Sequence, residues 1–457
     1  MQFVSTRGGA PVGFGYTLQQ GLAPDGGLYV PAQWPAGGLP EATYAGLPDA
    51  ASGALLAPPG LARLGAAFIG AFAAVDPVAA RMGEITAESF SFAAPLVPVR
   101  APGGAGEGAG DAGAQLSVLE LFHGPTAAFK DFGARFLAAT LARLRAGATR
   151  PLRILVATSG DTGGAVAAAF HRRPGFEVVV LFPKGLVSPT QQQQLTCWGD
   201  NVRSFAVRGS FDDCQRLVKQ AFLDERLRAA SELSSANSIN LGRLLPQAVY
   251  YVAASRTLFA RTGQKASFVI PSGNLGNATA CVWARLMGAP IGEIVLAHNA
   301  NRTVPDYLAE GVLRLRPSVP TLASAMDVGS PSNLERLAAL YPDAAALGSA
   351  LSAVSVSDAQ ISARIRADRE HYGQVWCPHT ATAAEAWARF PAAQRERGPW
   401  VLVSTAHPAK FREIVEPLVG APLAVPTNLA ALFERPARYS ELDPTLDALR
   451  AGLEASP

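Results

Sequence analysis

The sequence contains few cysteines, little net charge and no long hydrophobic run. Its four cysteines form no CxxC pair and its six histidines are dispersed, so we expect free thiols and no metal site. The 39 basic and 36 acidic side chains nearly balance and form no polybasic block, which argues against nucleic acid as a partner. The longest apolar run, residues 64–75, is too short to span a bilayer, and the first residues do not have the pattern of a secretory signal. We therefore expect a cytoplasmic protein without a membrane partner.

Two nucleotide-binding signatures are missing from the glycine-rich turns that follow predicted strands. Neither residues 159–164 nor residues 271–277 have the form GxGxxG, and no GK[ST] follows residues 271–277, which argues against a nicotinamide dehydrogenase and against a nucleotide-triphosphate loop. What the chain does contain is 49% hydrophobic and only 16% charged residues over 457 positions, as expected for an enzyme of two or three packed domains.

The chain changes character along its length. Residues 1–95 are predicted to form an N-terminal domain, and the glycine- and alanine-rich residues 101–115 a flexible insertion. From residue 116 onward, strands alternate with helices, which predicts an α/β fold with parallel sheets covered by helices. The predicted strands are 117–122, 153–158, 177–182, 267–272, 293–297 and 400–405. Such sheets bind ligands beyond the carboxyl ends of their strands.

The first candidate for chemistry is Lys130, in a predicted loop just before a helix. Phe129 and Phe132 flank it and would lower the pKa of its amine, which favours a Schiff-base lysine. A solvated surface lysine is the alternative. The next residue, Asp131, is expected to cap the helix.

Two glycine-rich turns follow predicted strands and precede helices. Ser159 to Gly164 reads SGDTGG and Pro271 to Asn277 reads PSGNLGN, so backbone amides and a helix N-terminus predict an anion site at each. Alternatively, the glycines of the first turn serve close helix packing. Two anion sites and a loop lysine together indicate a ligand or cofactor with two anionic ends.

Further polar clusters are less specific. Ser238, Asn240 and Arg243 enter a predicted helix, where Arg243 suits either a phosphate or a structural ion pair. His379 and His407 each lie in a turn, and we interpret both as structural histidines.

Taken in order, these segments resemble the threonine synthase family, within the fold type II pyridoxal-phosphate enzymes. The resemblance covers almost the whole chain and is closest to the shorter bacterial and fungal branch. The segments that carry it are GLAPDGGLYVP, FHGPTAAFKDFGARF, ATSGDTGGAVAAAF, NSINLGRLLPQ, PSGNLGN, ASAMDVGSPSN, PHTA and AHPAKF.

The resemblance implies a pyridoxal 5'-phosphate cofactor and a catalytic region over residues 96–457 with large and small α/β subdomains. It implies a carbon–oxygen lyase that turns O-phospho-L-homoserine and water into L-threonine and phosphate by γ-elimination and β-addition of water, acting as a monomer or homodimer. Lys130 would bind the cofactor covalently and move protons. The other residues implied in cofactor binding are Gly273, Asn274, Leu275, Gly276 and Asn277 around the phosphate and Thr380 at the pyridine nitrogen.

For the substrate, the matching turn implies Ser159, Asp161 and Thr162 at the amino-acid end. The candidates for the substrate phosphate are Arg243, Lys184, Asn240, Thr126 and Ser238. Two positions depart from the family: Leu275 replaces a frequent Phe, and Cys377 replaces a frequent acidic residue. The open alternatives are a lyase for another phosphorylated amino alcohol and a cofactor-binding protein without catalysis.

Overall fold

The computed structural model describes residues 1–100 and 115–454. Most of the predicted flexible insertion, residues 101–114, lies outside the described residues.

Three sheets organise the chain. The first is antiparallel, with order β2-β1-β3: β1 (Phe3–Ser5), β2 (Gly8–Val12) and β3 (Tyr29–Pro31). The second has order β12-β11-β10-β13-β5-β4: β4 (Leu96–Pro98), β5 (Leu116–Glu120), β10 (Ala266–Pro271), β11 (Ile291–His298), β12 (Ser352–Ser355) and β13 (Trp400–Ser404). The third has order β14-β8-β7-β6-β9: β6 (Leu152–Ala157), β7 (Phe176–Pro183), β8 (Val202–Val207), β9 (Glu232–Ser235) and β14 (Ser440–Leu442).

Helices cover these sheets. The helices of the first half are α1 (Phe14–Gln20), α2 (Gly60–Ala73), α3 (Met82–Ser89), α4 (Lys130–Leu144), α5 (Asp161–Phe170), α6 (Pro189–Thr196), α7 (Phe211–Leu223), α8 (Glu225–Ala230) and α9 (Leu241–Thr262). Those of the second half are α10 (Gly276–Leu286), α11 (Thr303–Glu310), α12 (Leu334–Ala338), α13 (Ala344–Ala350), α14 (Asp358–Tyr372), α15 (Pro378–Ala388), α16 (Ala392–Arg395), α17 (Arg412–Val419), α18 (Thr427–Phe433) and α19 (Leu446–Glu454).

The predicted α/β class is confirmed. All strand pairs in the two larger sheets are parallel except β4 with β5, so β4 is an antiparallel edge strand. The central strands are buried on both faces: β13 has no exposed residue, and β10 has only Ser267 partly exposed. That explains why they read as continuous apolar runs in the sequence.

The N-terminal residues share one continuous hydrophobic core with the rest. Phe68 and Phe72 of α2 are fully buried. The ring of Phe72 stacks on that of Trp283 of α10, with the ring centres 6.5 Å apart. Leu61 and Ile85 belong to the same cluster as Leu244 and Phe268. This packing fixes the N-terminal helices against α4 and α9, which both contribute to the site described next. No helix within residues 1–100 and 115–454 is long and apolar enough to cross a membrane.

Candidate active site

A cavity opens where several parallel strands end. Ala157 is the last residue of β6, Pro271 is the last residue of β10 and Thr405 follows β13. All three line the cavity. Both glycine-rich turns of the sequence line this cavity, one after β6 of the third sheet and the other after β10 of the second sheet. Ligands of such sheets bind beyond the carboxyl ends of the strands.

Lys130 is the first residue of α4, so it lies in the helix and not in a preceding loop. Its Nζ lies 5.6 Å from the centre of the Phe129 ring and the side chain lines the cavity. Burial, helped by the charges of Lys410 and Arg243 and opposed by that of Asp161, lowers the pKa of Lys130 to about 8. A lysine with a lowered pKa has more of the neutral amine that a carbonyl-bearing cofactor requires.

The neighbours of Lys130 differ from expectation in two ways. Phe132 packs into the core against Phe92 at 4.6 Å, so Phe129 is the ring that contacts the Lys130 amine. Asp131 does not cap α4: it accepts hydrogen bonds from the backbone and hydroxyl of Thr126 at 2.8 and 2.7 Å. Asp131 therefore fixes the turn that precedes Lys130.

The PSGNLGN turn forms a cradle at the N-terminus of α10. A Cβ on Gly273 would lie 2.8 Å from the Met326 backbone, so only glycine fits there. Leu275 adopts a left-handed conformation (φ 62°) and precedes the first turn of the helix, where backbone amides have no helical acceptor. Asn277 accepts from the Tyr250 and Tyr251 hydroxyls, while its Nδ2 is buried without a partner among the described residues. A phosphate fits this set of donors.

Residues distant in sequence support the cradle. Asn274 donates to the Ser238 hydroxyl at 2.7 Å, and Asn333 donates to the Asn274 carbonyl at 2.9 Å. Arg336, fully buried, donates to Asn333 Oδ1 and to the Tyr29 carbonyl, which ties the N-terminal residues to the cradle. Ser238 thus lies beside the cradle, where it accepts a hydrogen bond from Asn274.

The SGDTGG turn begins α5 and carries a buried ion pair. Asp161 is 2.8 Å from Lys410 Nζ, and both side chains are buried. Burial disfavours the Asp161 carboxylate, but Lys410 and Lys130 outweigh it and hold the pKa of Asp161 below its usual range. The Thr158 hydroxyl accepts from the Gly160 and Gly163 amides at 2.9 Å, so the amides of the first helical turn that are left for a ligand are those of Asp161 and Thr162.

Arg243 enters the cavity from the first turn of α9. Its Nη1 donates to the Ala236 carbonyl, whereas its Nε has no partner within the described part of the chain. No carboxylate of those residues pairs with it, so the structural ion pair considered from the sequence is not formed. Burial lowers the pKa of Arg243 to about 10, which leaves the guanidinium charged at neutral pH.

Most of the predicted site residues come together in this cavity. Those that line it are Lys130, Ser159, Asp161, Thr162, Ser238, Arg243, Gly273, Asn274, Leu275, Gly276 and Asn277. Four predicted residues do not line it: Thr126, Lys184, Asn240 and Thr380.

Thr126, Asn240 and Lys184 each have a hydrogen-bonding or ionic partner. The Thr126 hydroxyl donates to Asp131, and Asn240 caps α9 while donating to the Leu18 and Ser235 carbonyls. Lys184 is half exposed and pairs with Glu441 at 2.6 Å. A phosphate in the cavity would therefore not find its ligands among these side chains.

Thr380 lies just behind the cavity wall. Its hydroxyl is 3.0 Å from that of Ser404 and 3.2 Å from the Cys377 sulfur, and it is fully buried. The Cys377 sulfur also accepts the Thr380 amide, so this cysteine caps the N-terminus of α15. Placement of Thr380 at a pyridine nitrogen stays a prediction.

Some cavity residues were missed by sequence reasoning. Gln247 follows Arg243 by one helical turn and donates to its carbonyl at 2.5 Å, a spacing that the sequence displays. Lys219 of α7 also lines the cavity, without a local motif to mark it. Lys410 lies in the AHPAKF segment but forms its ion pair only through the fold. His379, interpreted as structural, also reaches the cavity.

The cavity collects buried polar atoms that lack partners. Arg243 Nε, Gln247 Oε1, Asn277 Nδ2 and His379 Nδ1 are all unpaired in the described structure, and all four residues line this cavity. Since buried polar atoms are almost always hydrogen-bonded, the cavity is built for a polar, anionic ligand. The residues present fit pyridoxal phosphate: the cradle would hold its phosphate, and Lys130 its aldehyde carbon.

Comparisons with known proteins agree with this site. The model of pyridoxal-phosphate dependent enzymes matches residues 95–406, a span that contains Lys130 and the cradle. The chain is thus a fold type II pyridoxal-phosphate-dependent enzyme, and its cofactor is pyridoxal 5'-phosphate.

The family within this class follows from the two ends of the chain and from full-length relatives. Residues 2–49 match the threonine synthase N terminus and residues 380–452 the threonine synthase C-terminal model. A threonine synthase of Serratia marcescens is 37% identical over 98% of this chain and 97% of its own length. Two crystal structures superpose with TM-scores of 0.83: threonine synthase of Escherichia coli, 34% identical over 99% of both chains, and pyridoxal-phosphate-bound threonine synthase of Brucella melitensis, 32% identical over 99% and 98%. The chain belongs to the threonine synthase family.

Proposed function

We propose that this enzyme converts O-phospho-L-homoserine and water into L-threonine and phosphate. The observation that carries the proposal is the coexistence, in one cavity, of Lys130, a phosphate cradle and a separate buried guanidinium with an unused donor. The cofactor phosphate accounts for the cradle. Arg243 then remains available for a second phosphate, which is what the substrate brings.

The reaction requires protons to move near one amine. When bound, pyridoxal phosphate supplies an electron sink for the charge that remains after a carbon–hydrogen bond breaks. Lys130, with a pKa of about 8, is suited both to accept and to return protons near neutral pH. The amides of Asp161 and Thr162, at the positive end of α5, would orient the substrate carboxylate.

Arg243 would hold the leaving phosphate. Arg243 and Lys130 line the same cavity, and the charge of Arg243 contributes to the lowered pKa of Lys130. Arginine also binds phosphate through two parallel hydrogen bonds, and Nε is one of the donors used in that geometry. Lys219, exposed at the cavity wall, is a second cation for the same phosphate.

The test is an assay of phosphate release from O-phospho-L-homoserine, with phosphoserine and O-phosphothreonine as competing substrates. Stoichiometric threonine and phosphate from the first substrate, lost in a Lys130→Ala variant, is the expected result. Preferential breakdown of O-phosphothreonine would instead favour a lyase for another phosphorylated amino alcohol. Phosphate release from none of the three would refute the proposed reaction.

We also infer that the enzyme acts in the cytoplasm, as a monomer or homodimer, without nucleic acid or a membrane. All four cysteines are buried and free, as is common in reducing compartments. Sedimentation of the purified holoenzyme would test the assembly state, and fractionation of cells the location.

A further inference from the structure

His379 is a buried histidine with one unused nitrogen. It lies in the first turn of α15, is 2% exposed and packs 4.8 Å from the Phe411 ring. Its Nε2 accepts the backbone amide of Ala325 at 3.0 Å. Its Nδ1 has no partner within residues 1–100 and 115–454.

The Ala325 bond decides which nitrogen bears the proton. Because Nε2 accepts a hydrogen bond, the proton of a neutral ring must be on Nδ1. Burial lowers the pKa of His379 to about 4, with Lys130 and Lys410 adding to this and Asp161 opposing it, so the ring is neutral at physiological pH. The Nδ1–H group is consequently a neutral donor with a fixed direction.

The position of His379 indicates what this donor meets. The residue lines the same cavity as Lys130 and is coupled electrostatically to Lys130 and Asp161, whereas the cradle lies around Asn277 on α10. A buried donor without an acceptor costs about 1–3 kcal/mol, so an unpaired Nδ1–H in the cavity that Lys130 also lines indicates an acceptor supplied by the bound ligand. Anionic oxygens are the acceptors that suit a cavity already containing Lys130 and Arg243.

We propose that His379 donates its Nδ1–H to an anionic oxygen at the reacting end of the cavity. That oxygen is either the phenolic oxygen on the pyridine ring of the cofactor or an oxygen of the carboxylate of the amino-acid substrate. The proposal rests on the proposed function, since it assigns a further ligand contact within the same site.

A matched pair of variants separates this binding role from a structural one. In His379→Gln the side-chain oxygen can still accept the Ala325 amide, but the donor at the Nδ1 position is lost. In His379→Asn an amide group occupies the Nδ1 position and can donate, but the bond to Ala325 is lost. The proposal predicts that His379→Gln lowers kcat/KM roughly 10–100-fold relative to His379→Asn, as expected for one hydrogen bond to a charged group.

Two readouts distinguish the acceptors. If the acceptor is the cofactor oxygen, His379→Gln shifts the long-wavelength absorbance of the holoenzyme before substrate is added. If it is the substrate carboxylate, that spectrum is unchanged and the KM for O-phospho-L-homoserine rises. Equal or better kcat/KM for His379→Gln than for His379→Asn would overturn the proposal.

A measurement on the wild-type holoenzyme tests the proposal even if the variants misfold. Nitrogen NMR with labelled histidine should show a neutral His379 ring with its proton on Nδ1. A proton on Nε2 would overturn the proposal without any substitution. A wild type inactive on O-phospho-L-homoserine would refute the proposed function, whereas an active wild type with the reversed variant order would refute only the role of His379.

Discussion

Replacement of Arg243 by methionine tests the assignment of the substrate phosphate. Methionine fills a similar volume and removes both the charge and the donors. In the protein without substrate, the replacement loses one hydrogen bond to the Ala236 carbonyl and also removes the unpaired Nε. We expect a folded variant, because removal of a buried charge and of an unpaired donor offsets the lost hydrogen bond.

The effect on turnover should be much larger. A hydrogen bond to a charged group contributes about 1.5–3 kcal/mol, so two such bonds to a phosphate amount to about 3–6 kcal/mol. Since each 1.4 kcal/mol is a factor of about ten, kcat/KM for O-phospho-L-homoserine should fall roughly 10²–10⁴-fold. Arg243→Lys should recover part of this loss, because lysine restores the charge but not the paired donors.

The assay is steady-state phosphate release, with the absorbance of the bound cofactor recorded for each variant. Lys184→Met provides the matched comparison, because Lys184 pairs with Glu441 outside the cavity and its loss should leave kcat/KM close to wild type. A folded Arg243→Met variant that retains cofactor and near-normal kcat/KM would refute the reasoning. In that case Lys219, which also lines the cavity, becomes the candidate for the substrate phosphate.

Three further predictions concern the cofactor. Borohydride reduction followed by peptide mapping should place the pyridoxyl group on Lys130, and a label on Lys410 would contradict the assignment. Gly273→Ala should weaken cofactor binding strongly, because its Cβ would lie 2.8 Å from the Met326 backbone. Gly70→Ala in α2, where nothing lies within 4 Å of the added Cβ, is the tolerated control outside the cavity, and equal affinities would argue against the cradle. The rate of covalent cofactor attachment to the apoenzyme should rise with pH and reach its midpoint at about pH 8. Burial lowers the pKa of Lys130 to that value, and the neutral amine is the reactive form. Rapid-mixing absorbance would measure this rate, and a midpoint near 10.5, the ordinary lysine value, would show that the amine is not buried as described.

The sequence by itself determined the elements and the backbone parts of the site. Apolar runs such as residues 267–272 and 400–405 predicted strands that are now β10 and β13 within a residue or two. Glycine-rich turns between strand and helix predicted the anion sites, because glycine spacing expresses a local backbone requirement. Lys130 was found for a similar reason, since its flanking residues and its family motif are contiguous in the chain.

Only the tertiary structure decided which polar side chains remain free for a ligand. The sequence predicted Asn240 and Thr126 as donors to a phosphate. In the structure Asn240 donates to the Leu18 and Ser235 carbonyls, and the Thr126 hydroxyl donates to Asp131. His379 was interpreted as structural, yet only one of its nitrogens has a partner among residues 1–100 and 115–454. The physical reason is that a polar group is satisfied or left free by whichever atoms the fold brings within about 3 Å of it, and those atoms come from distant parts of the chain. The pairing of Lys410 with Asp161 shows the same dependence, because it requires the segment after β13 to meet the helix that follows β6.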